Sequence, residues 1–117
     1  MKKPTQCILW KKDMLIPQDL HYENFDLIET FEDDSHFSRQ LLKCKECGQR
    51  YFKEFYEQID WINGNDPQYR TYIPVETNEE IEILKKSSQF ELLQFVPRLQ
   101  DDFPEDAKNR TVRWMGK

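Results

Sequence analysis

Residues 36–61 read HFSRQLLKCKECGQRYFKEFYEQIDW, and how this stretch folds decides the rest. Two aromatic-rich runs, 36–44 and 49–61, flank Cys44-Lys45-Glu46-Cys47-Gly48. Two such runs joined by a tight turn predict a β-hairpin. Phe52, Phe55, Tyr56 and Ile59 also fit the i, i+3, i+4, i+7 template of a helix. Alternation instead puts Tyr51, Phe55, Ile59 and Trp61 on one face, and the aromatic enrichment decides for strands.

Outward from the hairpin, Asn63-Gly64-Asn65-Asp66-Pro67 is a dense turn signal. Residues 68–75, QYRTYIPV, then alternate as a further strand, with Pro74 marking a strand end or an exposed edge. Such an edge would be a place for the chain to pair with a second copy. Thr77 with Glu80, and Ser88 with Glu91, have the spacing of capping boxes. They predict a helix over 77–86 and a short one stopped by Pro97. Residues 111–115, TVRWM, predict a last strand.

Before the hairpin, residues 7–16 read as extended, ended by Pro17. Over 18–31, Leu20, Leu27, Ile28 and Phe31 fit a helical stripe, while Phe25, Leu27 and Phe31 nearly alternate; the stripe favours helix. The expected architecture is α+β: a central antiparallel meander of about three or more strands with helices mainly after it. At 117 residues, 1–117 is expected to form one domain with one core.

Thiols two residues apart and followed by glycine are half of a zinc site. Both sulfurs can face one ion, and glycine lets the chain turn sharply. Residues 44–48 resemble the knuckle of zinc ribbons and rubredoxin-like folds, and that resemblance implies zinc. A ribbon carries a second CxxC about 15–20 residues away, and this sequence has none. The remaining ligands are sought in His36 and Cys7, giving the expected set Cys7, His36, Cys44 and Cys47. The alternative is a turn whose cysteines act as small apolar groups. A redox role needs the CxxC at the start of a helix, which the pattern here does not supply.

The net charge of −5 is unevenly spread. Residues 13–34 carry eight acids and no Lys or Arg, whereas Lys108, Arg110, Arg113 and Lys117 lie near the C-terminus without an acid among them. An acidic face repels nucleic acid and attracts a basic protein; the alternative is an ordinary solvated surface. No Ser-His-Asp pattern, Gly-rich phosphate loop or HExxH motif occurs, so the chain is expected to be non-enzymatic. No apolar run is long enough for a membrane span or a signal peptide, and a cytoplasmic location is expected. Being small, acidic, aromatic-rich and without catalytic motifs, the chain resembles bacterial immunity proteins, which neutralise basic nuclease-type toxins with an acidic face. That resemblance implies a basic protein partner, met by Asp26, Glu29, Glu32, Asp33 and Asp34.

Overall fold

The computed structural model describes residues 1–105 and 107–117. Six strands, β1 (Phe25–Asp34), β2 (Phe37–Cys44), β3 (Arg50–Glu57), β4 (Gln68–Val75), β5 (Arg98–Phe103) and β6 (Thr111–Met115), form one sheet in sequence order, every pair antiparallel. Residues 37–57 form the predicted hairpin, with Leu42 opposite Tyr51 and Leu41 opposite Phe52, but residues 58–61 lie beyond its end, so Ile59 and Trp61 are not on the strand and Trp61 is exposed. The chain is thus mostly β with a few small helices, broadly α+β.

Alternation gives the sheet two faces, and each buries its own core. On one face Leu42, Cys44, Tyr51, Tyr72 and Leu99 pack under Cys7, Leu9 and Leu20 of the N-terminal segment. On the other, Leu41, Phe52, Ile73 and Val75 pack under Ile81, Leu84 and Leu92, from α2 (Asn78–Lys86) and α3 (Gln89–Leu92). Both predicted capping boxes form. Thr77 Oγ1 accepts from the Glu80 amide and Ser88 Oγ from the Glu91 amide, at 3.2 and 3.1 Å, and each glutamate accepts in return from the cap residue's amide.

The N-terminal third departs from the expectations. Residues 7–16 are not extended: they contain the single four-residue helix α1 (Ile8–Lys11), the N-terminal turn. The expected helix over 18–31 is two 3-10 turns, Pro17–Leu20 and Tyr22–Asn24, followed by edge strand β1. Two breaks in register, between Leu27 and Glu29 and between Thr30 and Glu32, explain the misleading stripe. A bulge switches which face the next residue occupies. Phe25 therefore packs on Tyr51 and Tyr72, while Phe31 stacks on Phe52 across the sheet. Helices thus stand before the sheet as well as after it.

Pro74 is the next-to-last residue of β4, at a strand end as its proline suggested, opposite Tyr51, past the last residue of β4 that pairs with β5, and fully buried. The strand β5 had no sequence counterpart among the expectations.

Arg39 of β2 ties the helical layer to the sheet. Its guanidinium meets the Glu54 carboxylate at 2.8–2.9 Å and donates to the carbonyls of Leu84, Lys85 and Ser87 at the end of α2. The two side chains are 7% and 5% exposed. Burial holds the Glu54 carboxyl above the usual range, against the opposing pull of Arg39. Removing Arg39 alone leaves a buried carboxylate and three carbonyls without their donor. Arg39→Met should therefore cost about 3–5 kcal/mol in urea unfolding, and the Arg39→Met/Glu54→Leu pair should cost less than the single change.

Candidate metal centre

β2 ends at Cys44, and residues 45–49 turn the chain into β3. The Gly48 amide donates to the Cys44 carbonyl at 2.8 Å, and the Cys44 amide to the Gln49 carbonyl at 2.8 Å. Gly48 sits at φ +80°, a left-handed conformation that a side chain would strain. The Lys45 amide donates to Asn24 O at 3.1 Å, anchoring the knuckle to the chain just before β1.

Cys7 comes to this knuckle from the N-terminal segment. Its carbonyl accepts from the Trp10 and Lys11 amides, which winds the N-terminal turn immediately after it. Two contacts hold that turn to the far edge of the sheet. Trp114 Nε1 donates to Leu9 O at 2.8 Å, and the Trp10 and Trp114 rings meet edge to face at 4.9 Å. Lys117 Nζ also donates to the Trp10 carbonyl.

As a result the sulfurs of Cys7, Cys44 and Cys47 all lie within 4.8 Å of one another. Tetrahedral zinc with Zn–S bonds of about 2.3 Å places its sulfurs about 3.8 Å apart, so a small closure would bring the three into register. These three cysteines are close enough to hold a metal ion. Cys7 and Cys44 are buried and Cys47 is exposed. A cavity of about 320 Å³ lies beside the cluster, lined in part by Leu9, Phe25, Cys44 and Glu46.

Burial pushes the Cys7 thiol up to about 12, against the lowering effect of hydrogen bonds from the Tyr51 hydroxyl and the Leu9 amide. Cys44 and Cys47 add to the upward pull. The Tyr51 hydroxyl is 3.1 Å from Cys7 Sγ, and its own ionisation is pushed up by burial and then by Cys7. Cys7 therefore keeps its proton at neutral pH unless a cation replaces it, so metal binding here would release protons and strengthen as pH rises.

His36 is not part of the cluster. It lies in the β1–β2 turn at the opposite end of β2 from Cys44, about 26 Å of extended strand away at about 3.3 Å per residue. Its Nδ1 lies 3.0 Å from Glu57 Oε1, and its amide donates to Asp34 Oδ1. The set Cys7, His36, Cys44, Cys47 is therefore corrected to the three cysteines among the described residues. The hairpin geometry gives the reason: residues eight apart on one strand point to widely separated places, whereas Cys7 reaches the knuckle through the fold. Sequence reading placed Tyr51 on a strand face by alternation and missed its hydroxyl as a donor to Cys7. The CxxC also joins two strands instead of opening a helix, unlike a dithiol redox site.

The acidic residues fall elsewhere. Asp26, Glu29, Glu32, Asp33 and Asp34 all lie on β1, all exposed, on the edge of the sheet that has no outer neighbour. The opposite edge, β6, carries Arg113, with Arg110 just before it and Lys117 just after. Comparison with protein-family models, with curated proteins and with solved structures finds no match, so the residues themselves carry the functional argument.

Iodoacetamide should label Cys47 first in the metal-free protein and reach Cys7 and Cys44 only slowly, because only the exposed thiol is accessible. Zinc should protect all three, as peptide mass mapping would show. Equal labelling of all three thiols with and without zinc would contradict the cluster.

Proposed function

We propose that the protein is a zinc-stapled binding module, in which Cys7, Cys44 and Cys47 hold the ion and β1 meets a basic protein. The convergence of three thiols from two distant parts of the chain is the observation that carries the zinc reading. All-sulfur donors suit zinc, and the ion would join the N-terminal segment to the β2–β3 turn. A fourth donor completes the tetrahedron. With Cys47 at the surface, water or a partner side chain can supply it.

The partner face rests on a second observation. β1 is a ten-residue edge strand whose outer side is unpaired and whose Asp26, Glu29, Glu32, Asp33 and Asp34 are exposed, together with Leu27 and Ile28. Carboxylates on an edge discourage indiscriminate strand pairing. They also favour a cationic partner and speed its approach, while the two aliphatic side chains offer contact area. A cationic toxin of the kind that immunity proteins neutralise is one partner of this chemistry. Nothing in this reading calls on catalysis.

Protein purified without chelator should carry about one zinc per chain by elemental analysis, and Cys44→Ser or Cys7→Ser should carry much less. Removing the metal should cost about 2 kcal/mol or more, which for a domain of this size lowers Tm by about 8 °C or more. A metal-free protein whose Tm is indifferent to zinc would refute the staple.

The acidic edge has its own test. A basic protein captured by the wild type should be released by salt, and a Glu32→Lys/Asp33→Lys/Asp34→Lys variant with unchanged Tm should fail to capture it. Equal capture by that variant would remove β1 from the interface.

A further inference from the structure

Beyond Tyr51 and Tyr72, the sheet face that carries the N-terminal segment turns polar. One row across the strands runs Gln40, Lys53, Tyr72, Leu99 and Trp114; the next runs Phe55, Arg70, Asp101 and Val112. Residues facing one another in such rows lie about 4.5–5.5 Å apart. Three cations, Lys53, Arg70 and Arg110, thus surround one buried carboxylate, Asp101, which is 0% exposed.

That carboxylate is already taken. Arg110 spans it, Nε donating to Oδ1 at 3.0 Å and Nη2 to Oδ2. The other two cations feel Asp101 but make no ion pair of their own among the described residues. Arg70 lies over the Phe55 ring at 4.9 Å and donates Nη2 to Gln68 Oε1, but its Nη1 is buried and, among the described residues, has no hydrogen-bond partner. The Lys53 ammonium stands 5.5 Å from the centre of the Tyr72 ring, and among the described residues no carboxylate pairs with it. Burial, and then the charge of Arg70, pull its pKa down to about 8. Buried donors are seldom left unsatisfied without a reason.

Lys53 also lines a cavity of about 240 Å³. Leu20, Phe25, Leu27 and Leu42 give it apolar walls, with Gln40 beside Lys53 as a polar group. Leu27 is 57% exposed, so an occupant would cover apolar surface that now meets water. A few convergent polar groups in a largely apolar hollow are the usual design of a small-molecule site.

The geometry points to a binding site for a small monocarboxylic acid, its carboxylate held by Lys53 with Arg70 behind it and its apolar body against Leu20, Phe25, Leu27 and Leu42. An uncharged molecule would leave Lys53 unanswered, and a bare anion would leave the apolar walls wet. The site contains none of the three cysteines, although Phe25 lines both hollows.

Calorimetric titration of the zinc-loaded wild type with hexanoate and benzoate tests this, with hexanol and inorganic phosphate as probes lacking the charge and the apolar body. At least one of the two acids should bind saturably, and hexanol and phosphate should each bind at least about tenfold more weakly. Lys53→Met should weaken the acid about tenfold or more while keeping or raising Tm, because it removes a half-buried charge that makes no ion pair among the described residues. Leu27→Asp, a change at an exposed position, should also weaken it. No saturable binding of either acid up to about 10 mM would overturn the proposal, as would undiminished binding to folded Lys53→Met or phosphate binding as tightly as the acids.

Discussion

The meeting of Cys7 with the knuckle at Cys44 and Cys47 is the constraint on which the N-terminal half of the molecule depends. The sheet itself is a meander, each strand pairing with its sequence neighbour. The N-terminal segment has no such neighbour. It forms one short helical turn and two 3-10 turns, too little regular structure to stand alone. It is fixed by what it touches: Leu9 and Leu20 in the core, Trp114 through the Leu9 carbonyl, and the thiols and the Tyr51 hydroxyl at Cys7. An ion at the cluster would turn that packing contact into a metal-ligand clamp between residues 7 and 44.

The opposite face is held by different chemistry. There a buried ion pair reaches from the sheet to the end of α2, where Arg39 gathers the carbonyls of Leu84, Lys85 and Ser87, the first of which also accepts from the Ser87 amide. The two faces thus use distinct fasteners, thiols on one and a guanidinium on the other. The strands between them present two charged edges, acidic β1 and basic β6. This separation would let β1 serve as the proposed contact surface without disturbing either core.

Much of the fold was legible in the sequence where local signals agree. The hairpin at 37–57 reads correctly because aromatic alternation and the Cys-containing turn point the same way, and α2 because its capping box and terminal charges coincide. β1 was misread because two bulges move Phe25 and Phe31 to opposite faces, which mimics a helical period. β5 was missed because Arg98, Gln100, Asp101 and Asp102 make a run too polar to look like an interior strand. Asp101 is buried there only because Arg110 answers it. In the candidate site, the CxxCG spacing pointed to two ligands and Cys7 to a third, while His36 was chosen by nearness in sequence. The cation cluster around Asp101 needs four separate chain segments, so no local pattern announces it.

The central claim, that three thiols from two parts of the chain share one metal ion, is tested most directly by X-ray absorption at the zinc edge of the loaded protein. The account predicts three sulfur ligands at about 2.3 Å and one nitrogen or oxygen ligand, with a sulfur lost in Cys7→Ser. A shell of only two sulfurs, unchanged in Cys7→Ser, would show that the ion sits on the knuckle alone and that the N-terminal segment is not stapled by it.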